Sequence, residues 1–387
     1  MTLPFTAADR ALLTELRRDL HRYPELSWNE VRTQERLERA LREIGASDIR
    51  RVATTGLVAR IPGTNAGAPK VAVRGDIDAL PITEATGLEF ASLNPGVMHA
   101  CGHDVHATWT VGAALLLARD PAAGDVVVIL QPAEEVGEGA KAMLDSGALD
   151  GMRTIFGGHV DRRFDVGQVV AQAGPLAASA DSFTIRLTGC GAHGARPHQA
   201  ADPVVGSAAL ILALQTIVSR RLDPALPGVI TVGSIHGGRA PNVIPDSVDL
   251  AGTIRATTAA ARTLLATELT RVTHAVAATH QLTANVLVSD GTPSLENSPD
   301  AAAWAATAVR DALGPSALQP LGTTNMAGED FAYYLTRMSG CFMRIGAREP
   351  GGEHRDVHTP RFAPAEEAIF VGAAVLAQCA RVTARAG

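Results

Sequence analysis

The chain opens with an apolar stripe at helical spacing. Leu12, Leu13, Leu16 and Leu20 fall on one face, Thr6 stands at the N-cap position and Pro24 follows the end. A second amphipathic run starts near Asn29, carries Val31, Leu37, Leu41 and Ile44, and stops at Gly45. Short apolar runs follow. Val71-Ala72-Val73, Val126 to Leu130 and Thr154-Ile155-Phe156 read as strands, and Ala107 to Ala118 reads as a helix between the first two. Strands alternating with helices predict a parallel or mixed sheet covered on both faces.

From about Ser179 the pattern changes. Ser182 to Leu187 alternates as a strand, and a long apolar helix follows Pro203 through Val204, Leu210, Leu214 and Ile217. Strands at Val229 to Ile235 and Val248 to Ile254, a helix from about Ala259 to Ala278 and a strand at Ala284 to Val288 complete a β-α-β-β-α-β order, the ferredoxin-like arrangement. The chain is then helical at Ala301 to Leu313, extended at Phe342 to Ile345 and helical from about Pro364 to Ala380. The expected fold is α/β. A mixed-sheet domain covered by helices, residues 1–178 and 294–387, is interrupted by a ferredoxin-like (βαββαβ) insert at 179–293 that would serve as lid or dimerisation domain.

Composition narrows the function classes. With 387 residues, 46% hydrophobic and 19% charged, the chain has material for a substantial core, which excludes disorder and fibrous folds. A net charge of -6 invites neither nucleic acid nor an anionic membrane. Only Lys70 and Lys141 are lysines among the 34 basic residues, an arginine bias that reads as genome composition rather than an anion-binding surface. No apolar run is expected to reach the ~18 residues a spanning helix needs. The first residues show no basic region followed by an apolar stretch, so no signal peptide is expected. The four cysteines, Cys101, Cys190, Cys341 and Cys379, are scattered without a C-x-x-C pair, and a reducing cytoplasm is the expected location.

The chemistry gathers at strand ends. The first apolar run leads to Asp76 and Asp78, the second to Glu134 and Glu135, the third to His159. In open α/β sheets, sites form beyond the carboxyl ends of the strands. Taken singly, each polar residue only begins a loop. The segment from His99 to His106 is denser: one thiol, one carboxylate and three imidazoles in eight residues. Cys and His suit Zn²⁺ and similar borderline ions. A buried cysteine at a helix start with surface histidines would explain one or two of these residues, not five. A Cys–His nucleophilic pair is the weaker rival, because it leaves the second cluster of acids and histidines unexplained.

These residues carry a resemblance. The sequence resembles the amidohydrolase branch of the co-catalytic metallopeptidase and aminoacylase family, which includes hippurate hydrolase, N-acyl-amino-acid amidohydrolases and plant auxin-conjugate hydrolases. The matching stretches are Arg74 to Pro81 (Arg-Gly-Asp-Ile-Asp-Ala-Leu-Pro), Met98 to His106, Gln131-Pro132-Ala133-Glu134-Glu135 and Gly158-His159-Val160. Further on come His193 to His198, Asn242 to Asp246, Glu329-Asp330-Phe331 and Val357-His358-Thr359-Pro360. They follow the family's order and span nearly the whole chain. Two departures, Cys190-Gly191-Ala192 and Ser339-Gly340-Cys341 where the family often has Lys-Gly-Gly and Pro-Gly, leave the metal set untouched.

The resemblance implies that Cys101, His103, Glu135, His159 and His358 hold two divalent ions, Zn²⁺ or Mn²⁺ ahead of Ni²⁺ or Co²⁺, with one bridging ligand. It implies that Glu134 is the general base and that Asp78 orients a ligand histidine, while Asp76 stays open between a structural and a functional reading. Two ions ~3.5–4 Å apart lower the pKa of a water and polarise a carbonyl, and a neighbouring carboxylate takes the proton and hands it to the leaving amine. Glu134 and Glu135 would face opposite ways on a regular strand, so Pro132 is expected to end the strand first. His193 matches a histidine that stabilises the tetrahedral oxyanion, often from a partner subunit. Asn242 and Arg255 resemble substrate-binding positions. The expected activity is hydrolysis of small N-acyl amino acids, or similar N-acyl amines, by a homodimer or dimer-based oligomer assembled through the insert. A dipeptidase or carboxypeptidase with the same site is the alternative, and a non-catalytic binding protein is disfavoured by the intact ligand set.

Overall fold

The computed structural model describes residues 3–385, so the outermost limits of the expected larger domain lie outside the described residues. The chain divides into two compact units. The first comprises Met1–Gly174, Asn297–Thr323 and Tyr333–Gly387; the second comprises Pro175–Glu296 and Thr324–Ala332. The stretch Thr324–Ala332 carried no periodicity that would have placed it with either.

The first unit is built on a seven-stranded mixed sheet in the order Ser47–Val52, Gly56–Ile61, Val126–Gln131, Val71–Asp76, Thr154–Asp165, Ser339–Arg348 and Val169–Val170. Its four central strands run parallel and its outer pairings are antiparallel. The strand Val71–Asp76 is buried along its whole length, as the unbroken apolar run predicts for a strand covered on both sides. The two strands at 47–61 alternate too weakly for the hydrophobic pattern to show them.

Helix Ala7–Arg22 starts with the expected cap. The Thr6 hydroxyl accepts from Asp9 N–H at 3.1 Å and the Asp9 carboxylate accepts from Thr6 N–H at 2.8 Å, a reciprocal capping box. Leu13, Leu16 and Leu20 face the core. Helix His103–Arg119 is buried on every side from His103 to Leu117, so it runs through the core rather than over it. It packs against Glu367–Arg385, the last helix.

The second unit holds a four-stranded antiparallel sheet in the order Gly228–Gly237, Ser247–Ala256, Ala180–Thr188 and Thr283–Thr292, with helices Pro203–Arg220 and Ala259–Thr279 packed on it. In chain order its elements read β-α-β-β-α-β. Strand Ala180–Thr188 alternates strictly, burying Phe183, Ile185 and Leu187, because only one face of this sheet is covered.

Two helices, Pro203–Arg220 and Glu367–Ala384, are long and apolar enough to cross a bilayer by length and composition, a correction to the expectation that no such stretch exists. Polar residues such as Ser207, Gln215 and Thr216 break the run, yet the helix as a whole stays apolar. Each helix packs against other elements of its own unit, and 78% of the second is buried there.

Candidate metal centre

Strand pairing assembles the centre. Val71–Asp76 and Val126–Gln131 are parallel with Asp76 opposite Gln131, so the chain beyond both emerges side by side. Thr154–Asp165 pairs with Val71–Asp76 through Val73 and Phe156, and counting on in register brings His159 level with Asp76. His159 therefore sits within a strand, not past its end as the short apolar run implied. Gly75 lets helix His103–Arg119 lie against the sheet: a Cβ there would come within 2.4 Å of the His106 carbonyl oxygen. Gly102 precedes that helix at φ +89°, a turn that releases Cys101 and His103 toward one point.

Cys101 Sγ lies 3.2 Å from His159 Nε2 and 3.3 Å from His358 Nε2. Glu135 Oε2 lies 3.5 Å from His358 Nε2. His103 Nε2 stands 3.8 Å from both Glu134 Oε2 and Glu135 Oε1. Among the ligand groups that result are Cys101–His103–His159, Cys101–Glu135–His358 and His103–Glu134–Glu135, each with its donor atoms within 4.8 Å of one another, and the first two carry the thiol. Cys101, His103, His159 and Glu135 are buried or nearly so, whereas His358 is half exposed and sits at φ +61°.

Contacts behind the ligands decide which atoms point inward. Asp78 Oδ1 takes His103 Nδ1 at 3.1 Å, and Asp78 Oδ2 accepts from the Ser27 hydroxyl at 2.8 Å and Glu135 N–H at 3.0 Å. His159 Nδ1 donates to the Val160 carbonyl at 2.7 Å. Both imidazoles thus hold their Nδ1 outward and aim Nε2 at the thiol and the two glutamates, the carboxylate–histidine arrangement that fixes a metal ligand's tautomer. His103 Nε2 and Glu135 Oε1 are buried without a hydrogen-bond partner. Such orphans are costly in a folded protein.

The electrostatics point the same way. Burial pushes the Glu135 carboxyl up to about 7, with His103 opposing and Asp78 adding to the shift. Burial, then Glu135, raises the Cys101 thiol well above its ordinary range. Burial, then His106 and Arg344, holds His159 well below its ordinary value. Burial opposes a charge on His103, but Asp76 and Asp78 outweigh it and raise its pKa well above the usual imidazole value. A divalent cation inverts this logic: it favours thiolate and carboxylate and replaces the proton on an imidazole nitrogen. The residues therefore fit one or two ions of the borderline class.

His106 is not a ligand. Its Nε2 accepts from Val160 N–H at 3.0 Å, so Nδ1 carries the proton and donates to Asp76 Oδ1 at 2.7 Å, and the ring stacks on Trp109 with centroids 4.6 Å apart. Asp76 also meets the Arg74 guanidinium, whose Nε reaches Gln131 Oε1 at 2.8 Å. Asp76 is buried scaffolding under the centre.

Sequence reasoning missed a second layer. Arg17 and His21 both reach Asp104 Oδ2, at 2.8 and 2.7 Å, and His21 Nε2 meets Glu84 at 3.2 Å, which ties helix Ala7–Arg22 to the start of His103–Arg119. It also missed residues 25–30. Only the clustering of Glu25, Ser27 and Glu30 hinted at them, and that reads as an ordinary polar helix start.

In the second unit His193 and Asn242 are exposed neighbours. Ala192–His193 pairs with Val243–Ile244, and Gly194 N–H donates to the Asn242 carbonyl at 2.8 Å. His193 Nδ1 accepts from Ala195 N–H at 3.0 Å, so the neutral ring carries its proton on Nε2. Arg255 is set apart from this pair. It lies at the far end of strand Ser247–Ala256, roughly 25 Å along at 3.3 Å per residue, and its Nη1 donates to the carbonyls of Ile254 and Asp181 at 3.1 and 3.3 Å. Glu329 and Asp330 are buried in this unit.

The sequence pattern described as "Peptidase family M20/M25/M40" matches residues 72–382. The chain is 41% identical over 372 residues to N-acetyl-L-cysteine deacetylase of Bacillus subtilis, covering 95% of this chain and 87% of the relative. It is 38% identical to IAA-amino acid hydrolase ILR1-like 2 of Arabidopsis thaliana, covering 95% and 84%. A solved structure, the Bacillus subtilis YXEP protein described as a dinuclear metal binding peptidase from the M20 family, superposes with a TM-score of 0.87 at 33% identity, covering 98% and 99%.

Proposed function

We propose, from the premise that the chain belongs to peptidase family M20/M25/M40, that it removes the acyl group from N-acyl amino acids at a centre holding two divalent ions. Metal-dependent hydrolysis of an amide bond is its reaction class. The observation that carries the dinuclear reading is the position of Cys101 in two ligand groups, beside the orphaned His103 Nε2 and Glu135 Oε1. Cys101, His103 and His159 would hold one ion, and Cys101, Glu135 and His358 the other. When bound, the ions would acidify a water and polarise the scissile carbonyl.

The chain's own residues do the rest. Asp78 keeps His103 turned with Nε2 inward and, through Glu135 N–H, steadies the second ligand loop. Glu134 lies in the group with His103 and Glu135 but outside the one with His358, which suits a base beside the ions. It takes the water's proton and delivers it to the amine as the C–N bond breaks. His193 offers an Nε2–H donor for the oxyanion, from its own chain or a partner's. Asn242 stands beside it for substrate. Arg255, with Nη1 on backbone carbonyls, serves best as a carboxylate contact through its remaining nitrogens.

The second unit is assigned as the dimer interface. Strand Gly228–Gly237 is a sheet edge with Val229 and Ile235 exposed, and helix Pro203–Arg220 exposes Val204, Val205 and Leu212. A cytoplasmic enzyme with Zn²⁺ or Mn²⁺ completes the reading, since a buried thiol ligand persists in a reducing compartment. Metal analysis of the purified protein, with a panel of N-acetyl, N-benzoyl and N-lauroyl amino acids, tests it. The expected result is about two ions per chain and turnover of at least one class. Metal-replete protein inert to the whole panel but active on dipeptides would overturn the substrate assignment.

A further inference from the structure

Helix Val31–Glu43 has an acid at its N-cap position, yet Glu30 does not cap it. Glu25 performs that task, its carboxylate accepting from Arg32 N–H at 3.2 Å and Thr33 N–H at 2.8 Å. Glu30 instead turns inward and is fully buried. Its Oε2 accepts from the Thr55 hydroxyl at 2.6 Å and its Oε1 from Ala133 N–H at 2.9 Å. Ala133 is the residue before the Glu134–Glu135 pair, is itself fully buried, and sits at φ +53°, a conformation costly for any residue but glycine. That left-handed step, after strand Val126–Gln131 ends and Pro132 follows, is what lets two adjacent glutamates face the same ligand group. Burying a carboxylate to hold one backbone amide is expensive, and burial, against the hydrogen bonds from Thr55 and Ala133 and with Asp78 adding to it, raises the Glu30 carboxyl above its ordinary value. The neighbouring chain braces the same loops: Leu26 bridges to Ala79, the Ser27 hydroxyl donates to Asp78, and Trp28 Nε1 reaches Glu138 at 3.0 Å.

We propose that Glu30 is a positioning residue for amide hydrolysis, its carboxylate gripping the Ala133 amide so that Glu134 and Glu135 are aimed together. The proposal rests on the reading of Glu134 as base and Glu135 as ligand. It makes reach, not charge, the property that counts, so two conservative variants separate it from a merely structural role. Glu30→Asp keeps the charge but is one carbon–carbon bond too short to span Thr55 and Ala133. Glu30→Gln loses the charge but keeps an oxygen that accepts from Ala133 N–H, with the Thr55 hydroxyl free to turn and accept from the amide.

The experiment measures kcat, KM, the affinity of the metal-free protein for Zn²⁺ and the melting temperature of both variants beside Glu134→Gln. The expected result is a fall in kcat of about ten- to a hundredfold for Glu30→Asp, the scale of a misplaced catalytic group, with KM changed less than about threefold and weaker binding of one Zn²⁺ equivalent. Glu30→Gln should stay within about threefold of wild type in every kinetic and binding value. Glu30→Asp with wild-type kcat and Zn²⁺ affinity overturns the proposal, as does Glu30→Gln being the more damaged of the two. Glu134→Gln near wild-type activity brings down the underlying reading of the site. Its collapse beside an intact Glu30→Asp brings down only the role of Glu30.

Discussion

Around Cys101, ligand side chains and the backbone beside them are gripped from behind. Asp78 holds His103, the Val160 carbonyl holds His159, Asp78 also holds the Glu135 amide and Glu30 holds the Ala133 amide. Around His193 the picture is different. The ring is exposed, one nitrogen accepts a single backbone N–H from two residues on, and Asn242 stands exposed beside it. The first region is rigid because its chemistry depends on donor atoms converging within ångströms, and the protein fills the space behind them with hydrogen bonds. The second presents side chains whose partners are the substrate, and a residue that meets a ligand leaves its working atom unengaged. The contrast predicts that, in the first region, substitutions of the ligands or of the groups that hold them cost metal or stability. In the second they cost rate alone.

The sharpest case is Glu134→Gln, which alters the reaction without removing a ligand. The fold and most of the metal should survive while kcat falls by several powers of ten, lost proton transfer alone contributing ~10²–10⁴. Activity within tenfold of wild type would break the assignment. So would loss of metal, which would exchange the roles of Glu134 and Glu135.

Asp76→Asn tests the scaffold. Removing one partner of a buried ion pair typically costs ~3–5 kcal/mol, and here Arg74 and His106 lose their shared carboxylate. Chemical denaturation should show a loss of that order, with kcat of the surviving folded fraction little changed. A loss below ~1 kcal/mol would show that this layer is not structural.

His193→Ala should lower kcat by roughly 10²–10³, the usual loss for one oxyanion donor, with metal content and melting temperature unchanged because the side chain is exposed and outside the ligand groups. An effect below threefold would mark a loop histidine with no catalytic contact. Mixing inactive His193→Ala chains with inactive Glu134→Gln chains places the donor. Recovery of up to about a quarter of wild-type activity in re-formed heterodimers means that His193 acts across subunits.

The same division governs what the sequence could show. The parallel strands and the core helix His103–Arg119 were legible as apolar runs, and the β-α-β-β-α-β order as alternating and helical periods. Strands Ser47–Val52 and Gly56–Ile61 were not, since the first is half exposed and its side chains alternate weakly. The metal residues were legible as a resemblance, carried by dense motifs such as Met98 to His106. Of what holds them, the resemblance implied Asp78 and left the rest hidden. Glu30 reads locally as a polar cap, and only tertiary structure brings it to Ala133, 103 residues along the chain. The convergence of Glu134 and Glu135 was expected from Pro132, but the positive φ of Ala133 lies beyond any propensity of alanine. Arg255 suits a carboxylate by residue type, and its place far along the strand from Asn242 is visible only in the structure.

The central claim is that Cys101 is a ligand shared by two metal ions, and metal counting on wild type and Cys101→Ser tests it most directly. Elemental analysis after saturation with Zn²⁺ and removal of excess should give about two ions per wild-type chain. Cys101→Ser should hold fewer than one and hydrolyse no N-acyl amino acid, because one thiolate serves two ligand groups. Full occupancy and wild-type activity in Cys101→Ser would contradict the account.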